Sequence, residues 1–544
     1  MCGIFAFIHD PTVLSPTIPQ FGNNVAAIKH RGPDNTEFFQ GIGIIMGFNR
    51  LAINDLSSAG NQPMYSDDRN IVLICNGEIF NHLELKLKYN FQTKTRSDCE
   101  VIIHLYKLKG INMLAELDGD FAFVIYDKTH SSTNPTIYVA RDRIGVRPLY
   151  IGKSNIPNAP GLFIASEFKA IIEHADNIAH FPPAKYLKIG DSKPTPFPPF
   201  SRITSRLSFT APEEKIAQLL TTAVIKRIHC DTKIGLLISG GLDSSLIASL
   251  AVKHKPQKVH YHSFSIGLEG PNASPDLIAA EKVAKFLNTT HHSVTFTPSE
   301  GIKAIPEVIR HLETYDITTI RASTPQFLLA KYINENTDVK VLMSGEGSDE
   351  LFFGYKYHAL APTPQDAQKE SETLIKEIHM YDGLRSDRTI AAHSMELRVP
   401  FLDTEFVNYV LSIEPSLKMP YNKIEKYILR KAFESSYNSP YRTLPDEILW
   451  RRKDAFSDAV GHSWVDSIKT YTNNIYTDEE FKVRSAKYTH LPPQSKEALW
   501  YREIFEIYYP NTAHTIMKHF WLPKWTSDEI TKVDPSARFI DEKK

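Results

Sequence analysis

Cysteine is scarce in this chain, with four in 544 residues at positions 2, 75, 99 and 230. They are too few and too scattered to build a disulfide framework or a zinc site, and they fit a reducing compartment. Neither sign of charge is in surplus. Sixty-two Lys and Arg against 63 Asp and Glu leave a formal net charge of −1, which gives no electrostatic reason to expect nucleic acid or a membrane surface as partner. No apolar run approaches the roughly 18 residues of a membrane span, and no basic region precedes the apolar N-terminal stretch. A cytoplasmic location is the expectation. Internal repeats are absent, and the one biased segment is a proline-rich stretch within residues 191–212. The length exceeds what one hydrophobic core supports, so two or more domains are expected.

Texture changes across the proline-rich stretch. Before it, short β-like runs (residues 2–8, 43–53, 70–75, 119–126 and 135–141) alternate with turns, and Val101, Leu105 and Leu108 mark a helix after Ser97-Asp98. This predicts an α+β domain rich in antiparallel sheet. After it, strand-like residues 234–238, 260–266 and 339–343 alternate with helical patterns at 246–252 and 277–287. Such alternation predicts an α/β domain with a doubly wound parallel sheet. From about Asp446 onward the tail reads as helical and aromatic-rich.

Cys2 is the first residue that suggests chemistry. Removal of Met1 would give it a thiol and a free α-amine, and an amine titrating near about 8 can serve as the base that a thiol needs. A retained Met1 would lock that nitrogen into a peptide bond. Further motifs follow: His30-Arg31-Gly32-Pro33-Asp34, a stiff loop; Phe48-Asn49-Arg50-Leu51-Ala52-Ile53, with an arginine read at the head of a strand; Asn76-Gly77-Glu78, read at a strand's end; and Ser97-Asp98, where the aspartate also suits a helix cap.

In this order the motifs resemble the class II glutamine amidotransferase domain, of the N-terminal-nucleophile antiparallel-sandwich type. The resemblance implies that Cys2 attacks the side-chain amide of glutamine, while the Asn76 amide and the Gly77 N–H form an oxyanion hole. It implies that Arg50 binds the α-carboxylate and Asp98 the α-ammonium, with Leu51, Ala52, Ile53, Asn54 and Glu78 completing the pocket. Arg31 and Asp34 are assigned to loop architecture. Two residues depart from the family pattern: Asn49, where His or Arg is usual, and Cys99, where Thr or Gly is common.

Downstream, Ser239-Gly240-Gly241-Leu242-Asp243-Ser244-Ser245 lies between a strand and a helix, a setting that aims backbone N–H groups at an anion. It lacks the Gly-Lys-Ser/Thr ending of a γ-phosphate loop. Ser344-Gly345-Glu346-Gly347-Ser348-Asp349-Glu350 follows a second apolar strand, and segments 312–321, 396–403 and 450–458 complete an ordered set. Together with the N-terminal motifs this set is similar to the glutamine-dependent asparagine synthetases, over nearly the whole chain.

That resemblance implies a glutaminase domain at 2–190, a linker at 191–212 and an ATP-pyrophosphatase-type synthetase domain at 213–535. It implies that Ser239, Gly240, Gly241, Asp243, Ser244 and Ser245 hold pyrophosphate, with Leu237, Ile266, Ser344 and Gly345 around the nucleotide and Asp243 and Asp349 on Mg²⁺. Glu346 would assist formation of the adenylate or deprotonate ammonia, Lys453 would neutralise the α-phosphate, and Thr318 and Arg321 would hold aspartate. Phe353, at a position often glycine, and residues 270–273, which look inserted, depart from the pattern. The implied reaction is ATP-dependent synthesis of L-asparagine from L-aspartate and L-glutamine through β-aspartyl-AMP. The readings that compete with it are a sister ligase acting on another carboxylate or closing a β-lactam ring, and a non-catalytic paralogue. The sequence leaves a homodimer open.

Overall fold

The computed structural model describes residues 1–12, 17–198, 211–256, 259–270, 274–434, 443–452, 462–526 and 535. They fall into two compact units. The first comprises Met1–Leu207 with Cys230–Thr232 and Ala391–Glu396, and the second comprises the remainder.

The first unit holds two six-stranded sheets. Its strands are β1 (Gly3–His9), β2 (Asn35–Gly41), β3 (Ile44–Arg50), β4 (Met64–Tyr65), β5 (Ile71–Ile79), β6 (Gly119–Asp127), β7 (Thr136–Arg141), β8 (Tyr150–Ser154), β9 (Gly161–Ala165), β10 (Ala175–His180), β11 (Lys185–Lys188) and β12 (Thr195–Pro196). One sheet has the order β10-β8-β9-β1-β3-β2 and the other β12-β11-β7-β6-β5-β4. The pairings within them are antiparallel.

Side-chain alternation builds the sandwich. Ile4, Ala6 and Ile8 of β1 and Ile44, Met46 and Phe48 of β3 pack with Val72 and Ile74 of β5 and Ala122 and Val124 of β6 in one buried cluster. The opposite face of the second sheet carries Leu73, Cys75, Phe121 and Phe123 against Val101, Ile102 and Leu105 of the helix Glu100–Lys109. A period of two therefore brings Arg50 onto the face of Phe48, and Asn76 and Glu78 onto the face of Ile74. Cys2 packs on the edge of the same cluster. The stretch read as linker contributes β12, which pairs with β11. Residues 199–210 of it lie outside the described residues, and Pro212 opens the helix Pro212–Arg227.

Three local expectations are corrected. Asn76 and Gly77 lie inside β5, because β5 and β6 pair without a break from Ile71↔Asp127 to Ile79↔Gly119. They do not end the strand. Arg50 closes β3 instead of heading a strand. Asp98 is not a helix cap: the N-cap is Cys99, and the Asp98 carboxylate turns to the backbone N–H of Ile79 at 2.7 Å.

The second unit is organised on a five-stranded sheet of β13 (Lys233–Leu237), β14 (His262–Leu268), β15 (Thr290–Phe296), β16 (Val339–Met343) and β17 (Glu396–Arg398), in the order β15-β14-β13-β16-β17. The β13–β14, β14–β15 and β13–β16 pairs are parallel. From β13 the chain adds β14 and β15 on one side, then returns to add β16 on the other. Strand order thus reverses between β13 and β16, the switch point at which open α/β sheets leave a crevice beyond their strand ends. The two glycine-rich segments, 239–245 and 344–350, follow those two strands.

Asp403, read only as part of a motif, anchors this unit. Its Oδ2 accepts from Lys226 Nζ at 2.8 Å and Arg227 Nη1 at 2.9 Å, and its side chain caps the helix Thr404–Ser412 through Glu405 N and Phe406 N. Burial alone would raise its pKa, yet the two cations hold the carboxyl well below the usual range. A depressed carboxylate contributes stability that is present above its unfolded pKa of about 3.9 and lost as pH falls below that value. Asp403→Asn is expected to cost about 3–5 kcal/mol at neutral pH, because the buried Arg227 and the half-buried Lys226 lose their partner. Denaturant titrations between pH 3 and pH 7 should show the difference between variant and wild type shrinking on the acid side. A difference that does not vary with pH would contradict the assignment.

Candidate active sites

In the first unit, hydrogen bonds join some of the residues expected to form a glutamine pocket: Leu51 to Cys2, and Asn54 to Glu78 and Asp98. The Cys2 thiol accepts from Leu51 N at 3.4 Å and lies 3.7 Å from Leu51 O. Burial pushes that thiol up to about 11, against the pull of the neighbouring N-terminal ammonium. The terminal amine, carried by Met1 in this structure, is driven by burial down to about 6 and lies 4.0 Å from Glu396.

Asn76 is fully buried, and neither its amide nitrogen nor its amide oxygen has a hydrogen-bond partner. An unpartnered buried amide costs about 1–3 kcal/mol, so its retention points to a ligand that completes it. Gly77 cannot be replaced cheaply, since a Cβ there would stand 2.3 Å from Asp120 O. Arg50 is gripped by carbonyl oxygens of Ser57 (2.7 Å), Asn54 (3.5 Å) and Asp55, and by Asn61 Oδ1 at 2.6 Å. These four acceptors are neutral, and no ion pair to a carboxylate among the described residues offsets the Arg50 charge. Asn54 Nδ2 donates to Glu78 at 2.7 Å and Asp98 at 3.1 Å, tying the three pocket residues together.

Arg31 and Asp34 position this pocket. Arg31 Nε donates to the Cys2 carbonyl at 3.0 Å while Nη1 pairs with Glu167 at 2.7 Å, and Asp34 accepts from Ala52 N at 2.8 Å. Glu167 and Asn61 were not anticipated, since neither sits in a motif that marks it.

In the second unit, Ser239 N and Oγ bond to Ser244 Oγ at 3.1 and 3.0 Å, and the helix Leu242–His254 starts after Gly241. Gly240 has φ +72°, and a Cβ on it would lie 2.6 Å from Asp276 O. Gly345 approaches this loop so closely that a Cβ would meet Ser244 N at 2.7 Å. Arg451 donates to Gly240 O at 2.9 Å and pairs with Asp276, bracing the loop from outside.

Asp243 and Asp349, one from each loop, converge on one cation: the buried Lys426 ammonium, 2.6 and 2.7 Å away. Ser348 Oγ donates to Asp243 at 2.8 Å. No group of three or more His, Cys, Asp or Glu among the described residues is arranged to hold a metal. Two convergent carboxylates nevertheless suit a hard cation that draws its other oxygens from phosphate. Glu346 pairs with Arg385 at 2.7 Å, which also holds Asp382 at 2.7 Å and Gln326 at 3.0 Å. Burial pushes the Glu346 carboxyl up, opposed by Arg385. Lys453 lies outside the described residues.

Residues 1–206 match the family described as glutamine amidotransferase domain, and residues 215–369 and 359–531 match that described as asparagine synthase. Over 573 residues the chain is 41% identical to a probable glutamine-hydrolysing asparagine synthetase of Acanthamoeba polyphaga mimivirus, spanning 99% of this chain and 100% of that one. It is 41% identical over 568 residues to a protein of the same description in Schizosaccharomyces pombe, and 39% identical over 578 residues to the asparagine synthetase [glutamine-hydrolyzing] of Cricetulus griseus. Each of these two comparisons spans 99% of this chain and 98% of the relative. The chain belongs to the glutamine-hydrolysing asparagine synthetase family.

Within this asparagine synthetase architecture the departures have local reasons. Asn49 is buried between Val25 O (2.8 Å) and Thr36 Oγ1 (2.8 Å), a packing role away from the pocket. Cys99, also buried, points its thiol at Gly77 O (3.5 Å) and Asp98 (3.6 Å). Phe353 has φ +54°, the left-handed backbone that favours glycine. Its ring offsets that cost by full burial, a stack on His358 at 5.3 Å, and the Lys418 ammonium 4.6 Å above it. The two residues expected to hold aspartate stand apart from Glu346 in their bonding. Arg321 makes a buried bidentate pair with Glu497 (2.7 and 2.6 Å), and the Thr318 hydroxyl donates to Asp316 at 2.7 Å.

Proposed function

We infer that the protein makes L-asparagine from L-aspartate, L-glutamine and ATP, releasing L-glutamate, AMP and pyrophosphate. One observation carries this reading above the others. One unit holds both the Cys2 thiol and an unpartnered buried amide at Asn76, while in the other two glycine-rich loops at a sheet switch point bring the carboxylates of Asp243 and Asp349 to one point.

At the first site, processed Cys2 attacks the glutamine amide carbon and its own α-amine takes the thiol proton. Asn76 and the Gly77 N–H receive the oxyanion, ammonia leaves with the proton, and water hydrolyses the glutamyl thioester. Arg50 takes the α-carboxylate and Asp98 the α-ammonium. At the second site, the β-carboxylate of aspartate attacks the α-phosphorus of ATP and pyrophosphate leaves into the cradle of Ser239, Gly240, Gly241, Ser244 and Ser245. Leu237, Ile266, Ser344 and Gly345 border the nucleotide. Ammonia then attacks the β-acyl carbon and AMP leaves, with Glu346 as the group that accepts a proton. Asp243 and Asp349 would hold Mg²⁺, which neutralises phosphate charge when bound. Lys453 belongs to this reading through the resemblance alone, and Thr318 and Arg321 are its least supported members.

The domains are taken as 2–190, 191–212 and 213–535, and a cytoplasmic location and a homodimer are kept as parts of the reading. All four cysteines are free, in keeping with a reducing compartment. No described helix is long and apolar enough to cross a membrane. The test combines intact-mass determination of the N-terminus with pyrophosphate release measured for aspartate against other carboxylic acids. Loss of Met1 and a clear preference for aspartate are expected. Faster release with another acid would move the reading to a sister ligase, and no release with any acid would favour a non-catalytic role.

A further inference from the structure

Lys426 belongs to none of the motifs that mark the synthetase site, yet it lies at that site's centre. It sits at φ +55° in a short loop, a backbone conformation strained for a residue with a side chain, and it is 1% exposed. Its ammonium lies 2.6 Å from Asp243 Oδ2, 2.7 Å from Asp349 Oδ1 and 3.4 Å from Ser348 Oγ. A buried lysine is costly unless paired. Here both partners are residues read as ligands of the catalytic cation, one from each glycine-rich loop. Gly354 leaves the room that this requires, since a Cβ there would come within 2.1 Å of the Lys426 side chain and 2.0 Å of Asp349 Oδ1.

We propose that Lys426 is a positioning residue that holds Asp243 and Asp349 together and competes with a divalent metal for the same two carboxylates. Two carboxylates drawn to one point repel each other unless a cation lies between them. The ammonium fulfils that condition without metal, so the two loops keep their spacing before substrate binds. The same contact sets the affinity for metal alone: a divalent ion must displace or share with a covalently tethered competitor. Binding of the bare ion is therefore weak, and binding as the nucleotide complex is favoured because phosphate oxygens supply the remaining ligands. The inference rests on the reading of Asp243 and Asp349 as metal ligands.

The probe is Mn²⁺ alone, without nucleotide, titrated onto the full chain and followed by electron paramagnetic resonance of the free ion. Lys426→Met is expected to bind Mn²⁺ at least about tenfold more tightly than wild type, and Lys426→Arg, which keeps a cation, is expected to match wild type. Adding Asp243→Asn to Lys426→Met should abolish the gain. Circular dichroism and thermal unfolding check that each variant is folded. Lys426→Gln, which removes the charge but still donates hydrogen bonds, replaces the methionine variant if that one does not fold. Unchanged or weaker Mn²⁺ binding in the charge-removed variant would overturn the proposal, as would a gain shared by Lys426→Arg. A gain that survives Asp243→Asn would instead overturn the assignment of Asp243 as a ligand.

Discussion

Cys2→Ala should abolish asparagine formation from glutamine while leaving formation from ammonium salts near its wild-type rate. The variant keeps the packing position of Cys2 at the edge of the inter-sheet cluster, and alanine loses only the sulfur, so the fold is not at stake. What disappears is the atom that forms the glutamyl thioester in the proposed reaction. The neighbouring donors give a graded comparison. Asn76→Ala leaves nucleophile and base intact and removes one side of the proposed oxyanion hole, for which a loss of about 10²–10³ in kcat is usual. The unpartnered state of the Asn76 amide sharpens this expectation, because removing it breaks no hydrogen bond in the free protein. Stability should hold while glutamine hydrolysis falls. Both variants are to be assayed for glutamate release and for asparagine formation from each nitrogen source. Equal loss with glutamine and ammonium would refute the division of labour between the two units.

The same residues show how far a sequence can be read. Short apolar runs broken by turns were legible as a domain rich in antiparallel sheet, although β1, β3 and β5 are buried on both faces, and the helix–strand alternation after residue 213 announced the parallel sheet. Element ends were less legible, because pairing decides them. β5 runs on through Asn76 and Gly77 for as long as β6 offers partners, and nothing local to Asn-Gly tells a strand interior from a turn. Asp98 matched the statistics of a cap, yet its carboxylate is drawn away by Ile79 N from another element.

The second site repeats the lesson at longer range. Residues 239–245 and 344–350 announce themselves through glycine and serine after an apolar strand. Lys426 carries no such signal: it is one of 62 basic residues, and its hydrogen-bond partner Asp243 is 183 positions away. Arg385 and Glu497 were invisible for the same reason. Arg321 shows the converse, in which a motif residue satisfies a buried carboxylate inside its own unit. Motifs report which residue types a chemistry needs, whereas the partners that hold those residues come from the topology.

Gly345→Ala is expected to remove asparagine formation with either nitrogen source, by at least about 100-fold, while glutamate release from glutamine persists. The argument is steric. A Cβ at position 345 would lie 2.7 Å from Ser244 N, 2.8 Å from Asp243 C and 2.9 Å from Asp243 Cβ, and the first two of these atoms are backbone. Ordinary contact begins near 3.4 Å, so one glycine-rich loop must move away from the other by about 0.7 Å. That motion shifts Asp243, and with it the pairing to Lys426 and to Ser348. Misplacement of reacting groups by about 1 Å costs on the order of 10²-fold, and here two carboxylates and an anion loop shift together. Gly241→Ala provides the contrast. Its Cβ would meet only the Ser239 hydroxyl, at 3.3 Å, and a hydroxyl can rotate aside, so its loss should be much smaller. Pyrophosphate release from aspartate, ATP and ammonium chloride measures both variants. If Gly345→Ala retained activity comparable to Gly241→Ala, the close approach of the two loops would have no part in holding the nucleotide.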